Sequence, residues 1–458
     1  MARPALETAH EHYVSRFANF AREAGARDPA WLRSLRERAM ASFAEQGFPT
    51  TRLEEWRYTS LRGLAKIPFE LGPEGHEFEL GPEGHEGTKR ERVEALSHPL
   101  FACSLFVFVN GRHAPELSTP GSAASSLHVQ SLAAQRKAGD TDLEAKLAGF
   151  SGPDTLKQHP FAALNTAFLD DGAIITAPRG EAIASPIHLV FISAGGVISH
   201  PRVSIVAEAT SEVTVIQDHV SLDDEAGFTN AVTELNAGPD ATVKLILFQR
   251  ENESGFHISN LRVRQERGSR VSASTLTLGG GLVRNDLEAV LAAEGASCRL
   301  EGLYLGGGTQ HIDNHTTIDH ALPHCESAQL YKGVLDGRSR GVFRGRVVVR
   351  PDAQKTFAEQ SNPNLLISPK AEVNTKPQLE IHADDVRCSH GSTIGQLDEE
   401  ADFYLRARGI GADQARDMLT QGFANEITAH LPVPALGERV RELISGRLHP
   451  EQGSGDLL

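Results

Sequence analysis

The sequence predicts a mainly β fold: a β-solenoid core between two α-helical ends. Three observations carry this. From about residue 172, short alternating stretches recur between Gly, Asp, Asn and Ser, and EATSEVTVIQ, GPDATVKLILFQ, RGSRVSASTLTL and EGASCRLEGLYL read as variants of one phrase. Aligning Val213, Val243, Val271 and Cys298 gives steps of 30, 28 and 27 residues. A turn-then-alternation pattern at near-constant period, with no helix between repeats, is the mark of stacked coils. A β-sandwich also gives short strands and frequent turns, but the near-regular period favours the solenoid. Finally, apolar residues at helical spacing fall at the two ends of the chain.

Taken in order, residues 1–65 form an N-terminal helical domain. Tyr13, Phe17 and Phe20 make one stripe. Asp28-Pro29 reads as an N-cap followed by Pro at the first helical position, with Leu32, Leu35, Ala39 and Phe43 on the buried face and Gly47 with Pro49 as the stop. Next, LEEWRYT (53–59) places two carboxylates beside Trp56 and Tyr58 and is expected to anchor the helices to the rest of the chain. Residues 66–165 are a mixed linker region, with the near-duplicate LGPEGHEFE/LGPEGHEG, a strand over 104–110 and a helix over 142–150. Residues 166–396 are the solenoid. Residues 397–458 form a C-terminal helical domain, with Asp398 and Asp413 as N-caps and Gly409 ending the first helix. Its helices are expected either to close the end of the solenoid or to offer an apolar face to a partner.

Composition narrows the function. A net charge of −15 argues against nucleic acid or an anionic membrane as the main partner. The four cysteines include no CxxC pair, which suits a reducing compartment. The opening MARPALETAHEHYVSRF carries charges throughout and no apolar run of membrane-spanning length occurs after it, so the chain reads as cytoplasmic. There is no GxxxxGK[ST], so nucleotide hydrolysis would have to come from a partner.

Several clusters could carry chemistry. Within LEIHADDVRCSHGSTIG (379–395), Cys388 and His390 lie two apart on an extended strand and so share a face. They could bind a soft metal, or the imidazole could lower the thiol pKa; a packed Cys beside a hydrogen-bonded His is the plainer alternative. His311, Asp313 and His315 also share a face and could hold a metal, or could hydrogen-bond neighbouring coils. His76 and His85 in the Gly/Pro/Glu tract resemble a metal tract only superficially. Arg338, Arg340, Arg344, Arg346 and Arg350 form a basic stripe best read as a solvated strand face. Asp384 and Asp385 are adjacent and alternate across the strand, which does not suit the facing carboxylates of a glycosidase.

Three long blocks, QLYKGVLDGRSRGVFRGRVVVRPDAQKT, LEIHADDVRCSHGSTIGQLDEEADFYLRARGI and ARDMLTQGFANEI, together with LEEWRYTSL, resemble the SufB/SufD family of the Suf iron–sulfur cluster assembly system. The likeness covers roughly residues 165–445. The absence of cysteine from the first 100 residues and the Gly391 that follows His390 favour the SufD branch. The resemblance implies a right-handed parallel β-helix flanked by helical domains, and a scaffold or assembly subunit rather than an enzyme. It implies pairing with a SufB-like subunit and binding of a SufC-like ABC ATPase. His390, and with it Cys388, would contribute to a transient iron or iron–sulfur cluster site shared with the partner, with no cofactor firmly bound by the isolated chain. Phe403, Tyr404, Leu405, Arg408, Met418, Leu419 and Phe423 would bind the ATPase. A flavin, which the family complex is reported to hold, has no binding fingerprint in this sequence. A SufB-like scaffold acting as a homodimer and a metalloprotein built on His311, Asp313 and His315 are the alternatives.

Overall fold

The computed structural model describes residues 2–72, 91, 103–119, 121 and 128–448. All of the LGPEGHE duplicate after Gly72, with His76 and His85, lies outside the described residues.

Two ten-stranded sheets wind into a parallel β-solenoid. Each coil gives one strand to each sheet, and the strand pairs in parallel with its counterparts in the coils before and after it. The alignment read from the sequence is the register of the first sheet: Val213 pairs with Val243, Val243 with Val271 and Val271 with Cys298. The row continues through Ser327 and Ala358 to Cys388. Its apolar members through Cys298 face the central core. One turn explains the period. Thr210, Asp240, Gly268, Gly295, His324 and Lys355 all have positive φ and all precede a strand of this sheet. Before each of these strands the chain reverses at a left-handed residue, where glycine is unstrained and the other residues depend on the stacked turns around them.

Helices cover the two outer faces. Helices α1 (Ala2–Gly25) and α2 (Ala30–Gln46), with the later α3 (Pro160–Ala167), pack through Tyr13, Phe43, Phe161 and Leu164 onto Ile198, Phe228 and Ile258 of the second sheet. The predicted buried face of α2, Leu32, Leu35, Ala39 and Phe43, is buried. Asp28 does not cap α2. Pro29 occupies that position without a side-chain bond, and Asp28 is instead buried in ion pairs with Arg36 at 2.7 Å and Arg136 at 3.2 Å. The strand expected over 104–110 is present as Ser104–Val109. The helix expected over 142–150 is split into Leu143–Lys146 and a 3₁₀ turn at Ala148–Phe150.

At the other end of the chain, α4 (Glu399–Ala407) is capped as read, the Asp398 side chain accepting from the amides of Glu400 and Ala401. Helix α5 (Ala412–Thr428) starts one residue before Asp413, with Gly411 at its cap and Asp413 in its first turn. Helix α6 (Pro434–Leu448) is the last of the three. These helices do not close the solenoid. Ala424, Ile427, Val440 and Ile444 pack on Ile216, Ile246, Leu276, Leu303 and Val334, which is the outer flank of the first sheet. The last coil is left open. Its strands Glu372–Ile381 and Arg387–Gly395 are half-buried to exposed along their whole length. Among the described residues no helix is long and apolar enough to cross a membrane.

Candidate functional site at the open end of the solenoid

The strand Arg387–Gly395 is the terminal strand of the first sheet and pairs on one side only, with Phe357–Leu366. Cys388 sits in register with Ala358, and His390 with Gln360. Cys388 packs with Val347, Val349, Ala358 and Ala383 at the inner side of the last coil. By alternation His390 shares that side. In an inner coil such a position is sealed by the next strand. Here it opens to solvent: Cys388 is half-buried and His390 exposed. The neighbouring imidazole does not activate the thiol. Burial pushes the Cys388 thiol up from its ordinary value, outweighing the backbone amide of Ala358 that pulls it down. A thiolate there needs a further cation, such as a metal ion, to form.

The His311/Asp313/His315 ladder is occupied by the protein's own cation. Arg284, on the adjacent strand, reaches Asp313 at 2.6 Å and Asp286 at 2.8 Å. Its guanidinium lies 3.8 Å from the Trp56 ring centre and donates to the Glu55 carbonyl at 2.9 Å. Thr59 donates to Asp313 and lies 2.8 Å from His311 Nε2, and His315 Nε2 is 2.9 Å from Asp313. The set is therefore a clamp that fixes the 53–59 segment on the solenoid wall. A metal bound by these three side chains would have to displace Arg284. The anchoring expected of Trp56 is real, while Tyr58 is exposed. Four arginines of the stripe are likewise paired, three across coils, Arg340 with Glu372, Arg346 with Glu380 and Arg350 with Asp319, and Arg344 with Glu55 of the 53–59 segment.

On the C-terminal helices, Phe403 is 73% exposed, Tyr404 56% and Met418 46%. Arg408 is exposed and lies over the Tyr404 ring at 4.8 Å. Leu405 and Leu419 are half-buried. Phe423 serves a different purpose. It packs against the flank cluster, with the Lys332 ammonium 4.2 Å from its ring centre and that ammonium paired to Glu426 at 2.6 Å. It holds α5 on the solenoid, and Phe403, Tyr404 and Met418 remain uncovered. One constellation escaped the sequence reading entirely: His219, Glu251 and His257 converge inside the solenoid. No spacing rule connects positions 32 and 6 residues apart; only the register of two coils brings them together.

Comparison with known proteins agrees with this architecture. Residues 190–423 match the family described as SUF system FeS cluster assembly, SufBD core domain, and residues 7–189 match the SufBD protein N-terminal region. An iron–sulfur cluster assembly SufBD family protein of Synechocystis is 33% identical over 450 residues, which cover 91% of this chain and 95% of that protein. The iron–sulfur cluster assembly protein SufD of Escherichia coli is 31% identical over 414 residues, 88% of this chain and 90% of that protein. The chloroplastic protein ABCI7 of Arabidopsis thaliana is 32% identical over 63% of each chain. The parallel solenoid, the helices on its flanks and these full-length likenesses identify the chain as a member of the SufB/SufD family of iron–sulfur cluster assembly proteins, on its SufD branch.

Proposed function

We propose that this protein is the SufD-like, non-ATPase subunit of a cytoplasmic Suf assembly complex. It pairs with a SufB-like subunit through the open end of its solenoid and binds a SufC-like ABC ATPase through Phe403, Tyr404, Arg408 and Met418. The observation that carries the reading is the last coil. A strand with one edge unpaired and its inner row exposed is a template for another chain, and here it presents an imidazole and a thiol at that edge. Imidazole and thiolate both suit iron. In this reading His390, with Cys388 beside it, lends a ligand to iron or a nascent cluster while the partner supplies the rest. The cluster is cargo, held where two chains part. Nucleotide-driven movement of the ATPase, transmitted through α4 and α5, would open the shared site. The exposure of α4, which buries none of its residues, supports its availability to a partner.

Two experiments test this. Co-expression with SufB-like and SufC-like chains should give a complex that purifies together; recruitment of neither would refute the assignment of partners. His390→Ala and Cys388→Ala should leave the isolated chain folded, because both side chains lie at an exposed edge. His390→Ala should depress cluster assembly by the reconstituted complex. Normal assembly by both variants would sink the ligand role.

A further inference from the structure

Between the successive coils that hold strands Glu212–Ser221 and Thr242–Arg250, far from the open end, three potential metal ligands meet. His219 lies near the end of strand Glu212–Ser221, Glu251 follows strand Thr242–Arg250, and His257 is the second residue of strand Phe256–Gln265. Their ligand atoms all lie within 4.8 Å of one another. The side chains are sealed from solvent, with His219 3%, Glu251 5% and His257 0% exposed. His257 Nδ1 stands 2.8 Å from Glu251 Oε2. The two rings meet edge to face at 4.8 Å, and Phe191 stacks on His219 at 4.9 Å. No aligned hydrogen bond reaches His219 Nδ1, either ring nitrogen of His257 or Glu251 Oε2. Glu251 Oε2 and His257 Nδ1 face each other as an ion pair, whereas His219 Nδ1 and His257 Nε2 have no partner; buried polar atoms left so are costly, and a group filling the space between them would satisfy them.

We propose that His219, Glu251 and His257 form a buried site for one divalent transition-metal ion, zinc or ferrous iron, that ties two successive coils together. Two imidazoles and a carboxylate are a recurrent donor set for these ions. Phe191 stacks on the His219 ring and holds its plane. The site is distinct from the His390 edge. In the first sheet the two lie six strand spacings apart, roughly 29 Å at about 4.8 Å each. It differs from the Arg284 clamp too, where the protein's own guanidinium pairs with the carboxylate; here the carboxylate's ion-pair partner is the His257 imidazole. An ion there would be a structural cross-link, independent of cluster cargo.

The test uses the full-length chain, stripped by a chelator and titrated with zinc, and with cobalt(II) as a spectroscopic probe. Uptake of one ion per chain and a higher unfolding temperature on loading are expected. Both should persist in His76→Gln/His85→Gln and in His390→Ala/Cys388→Ser, which removes the tract and the edge as sources. Both should disappear in Glu251→Gln and His257→Gln, with circular dichroism showing that each variant keeps its β structure. If those variants do not fold, X-ray absorption on the zinc-loaded wild-type chain decides: two imidazoles with oxygen ligands and no sulfur support the site, whereas sulfur ligands or a single imidazole overturn it. Failure of the wild-type chain to take up either ion, or undiminished uptake by folded Glu251→Gln and His257→Gln, also overturns it.

Discussion

Arg284→Met is the sharpest test of what holds the N-terminal segment to the solenoid. Methionine keeps most of the apolar stem and removes the cation. The substitution deletes the contacts to Asp313, Asp286 and the Glu55 carbonyl, and the guanidinium over Trp56. Asp313 is 1% exposed and would be left with Thr59 and His315 alone. Removing one member of a buried ion pair costs about 3–5 kcal/mol. The cation–π contact is worth about 2 kcal/mol by itself when desolvated, but it shares the same guanidinium, so the terms do not add. A loss of about 3–5 kcal/mol is expected for the urea transition followed by tryptophan fluorescence, Trp56 being one of only two tryptophans. Cleavage by a protease should become faster around residues 53–59. Arg284→Met/Asp313→Asn should recover part of the loss, because the stranded charge is then gone. The pH dependence has a definite sign. Against burial, His315 and Arg284 hold the Asp313 carboxyl well below the usual carboxylate range. A group depressed on folding contributes stability above its unfolded value of about 4 and loses it as the pH falls below that. The wild-type chain should therefore lose stability on acidification below about pH 4 more steeply than Arg284→Met. A single variant within about 1 kcal/mol of wild type, or a double variant as damaged as the sum of the singles, would refute the clamp.

Three further outcomes are expected. Gly302 pairs with Tyr331, and a Cβ there would lie 2.2 Å from the ring; Gly302→Ala should destabilise by about 1–3 kcal/mol in chemical denaturation. Burial lowers the pKa of His200 to about 3 and of His320 to about 4. Because both values fall below the unfolded value of about 6.5, stability should decline as the pH drops from about 6.5 towards 4, and His320→Gln should flatten that decline in a pH series of urea midpoints. Phe403→Ala/Tyr404→Ala should change stability by no more than about 0.5 kcal/mol, since both side chains are exposed, while weakening capture of a SufC-like ATPase in a pull-down.

The solenoid was legible because its signal is local and repeated. Each coil repeats the same left-handed turn before its strand of the first sheet, so Val213, Val243, Val271 and Cys298 superpose directly, and they are register partners on neighbouring strands. The shared face of Cys388 and His390 was legible for the same reason, the two being two apart on one strand. What stayed hidden depends on distances along the chain that carry no period. Arg284 reads as one more polar residue in VRND until the Glu55 carbonyl and Trp56, more than 200 positions earlier, fold over it. That is why the His311/Asp313/His315 ladder looked like a metal site: three ligands were on the strand, and the cation that fills them came from its neighbour. Asp28 misled in the same way. Its place before Pro29 suits a cap, but a buried Arg36 competes for the carboxylate and wins at 2.7 Å. The position of the C-terminal helices was also not readable, because an amphipathic helix states which of its faces is apolar and not which surface receives it.

The placement of those helices bears on how the molecule works. A solenoid end must be covered, because stacked strands present unpaired backbone groups there. This chain has three C-terminal helices available and uses two of them, α5 and α6, on the flank of the first sheet, where Ile246, Leu276 and Leu303 would otherwise face water. The end itself carries Ser389, His390, Gly391, Ser392 and Thr393, all exposed, with only Ile394 as a large apolar side chain in that strand at 53% exposure. A polar edge of this kind resists indiscriminate aggregation, yet keeps its backbone donors and acceptors free for a matching strand. The helices also leave α4 projecting with Phe403 and Tyr404 bare. Two of the exposed surfaces, the last strand and the outer side of α4 with Phe403 and Tyr404, are joined by residues 396–398 alone. In the proposed complex, a load applied to α4 by one partner would therefore be delivered within a few residues of the strand that carries His390 and Cys388, a direct mechanical route from the proposed ATPase partner to the proposed shared site.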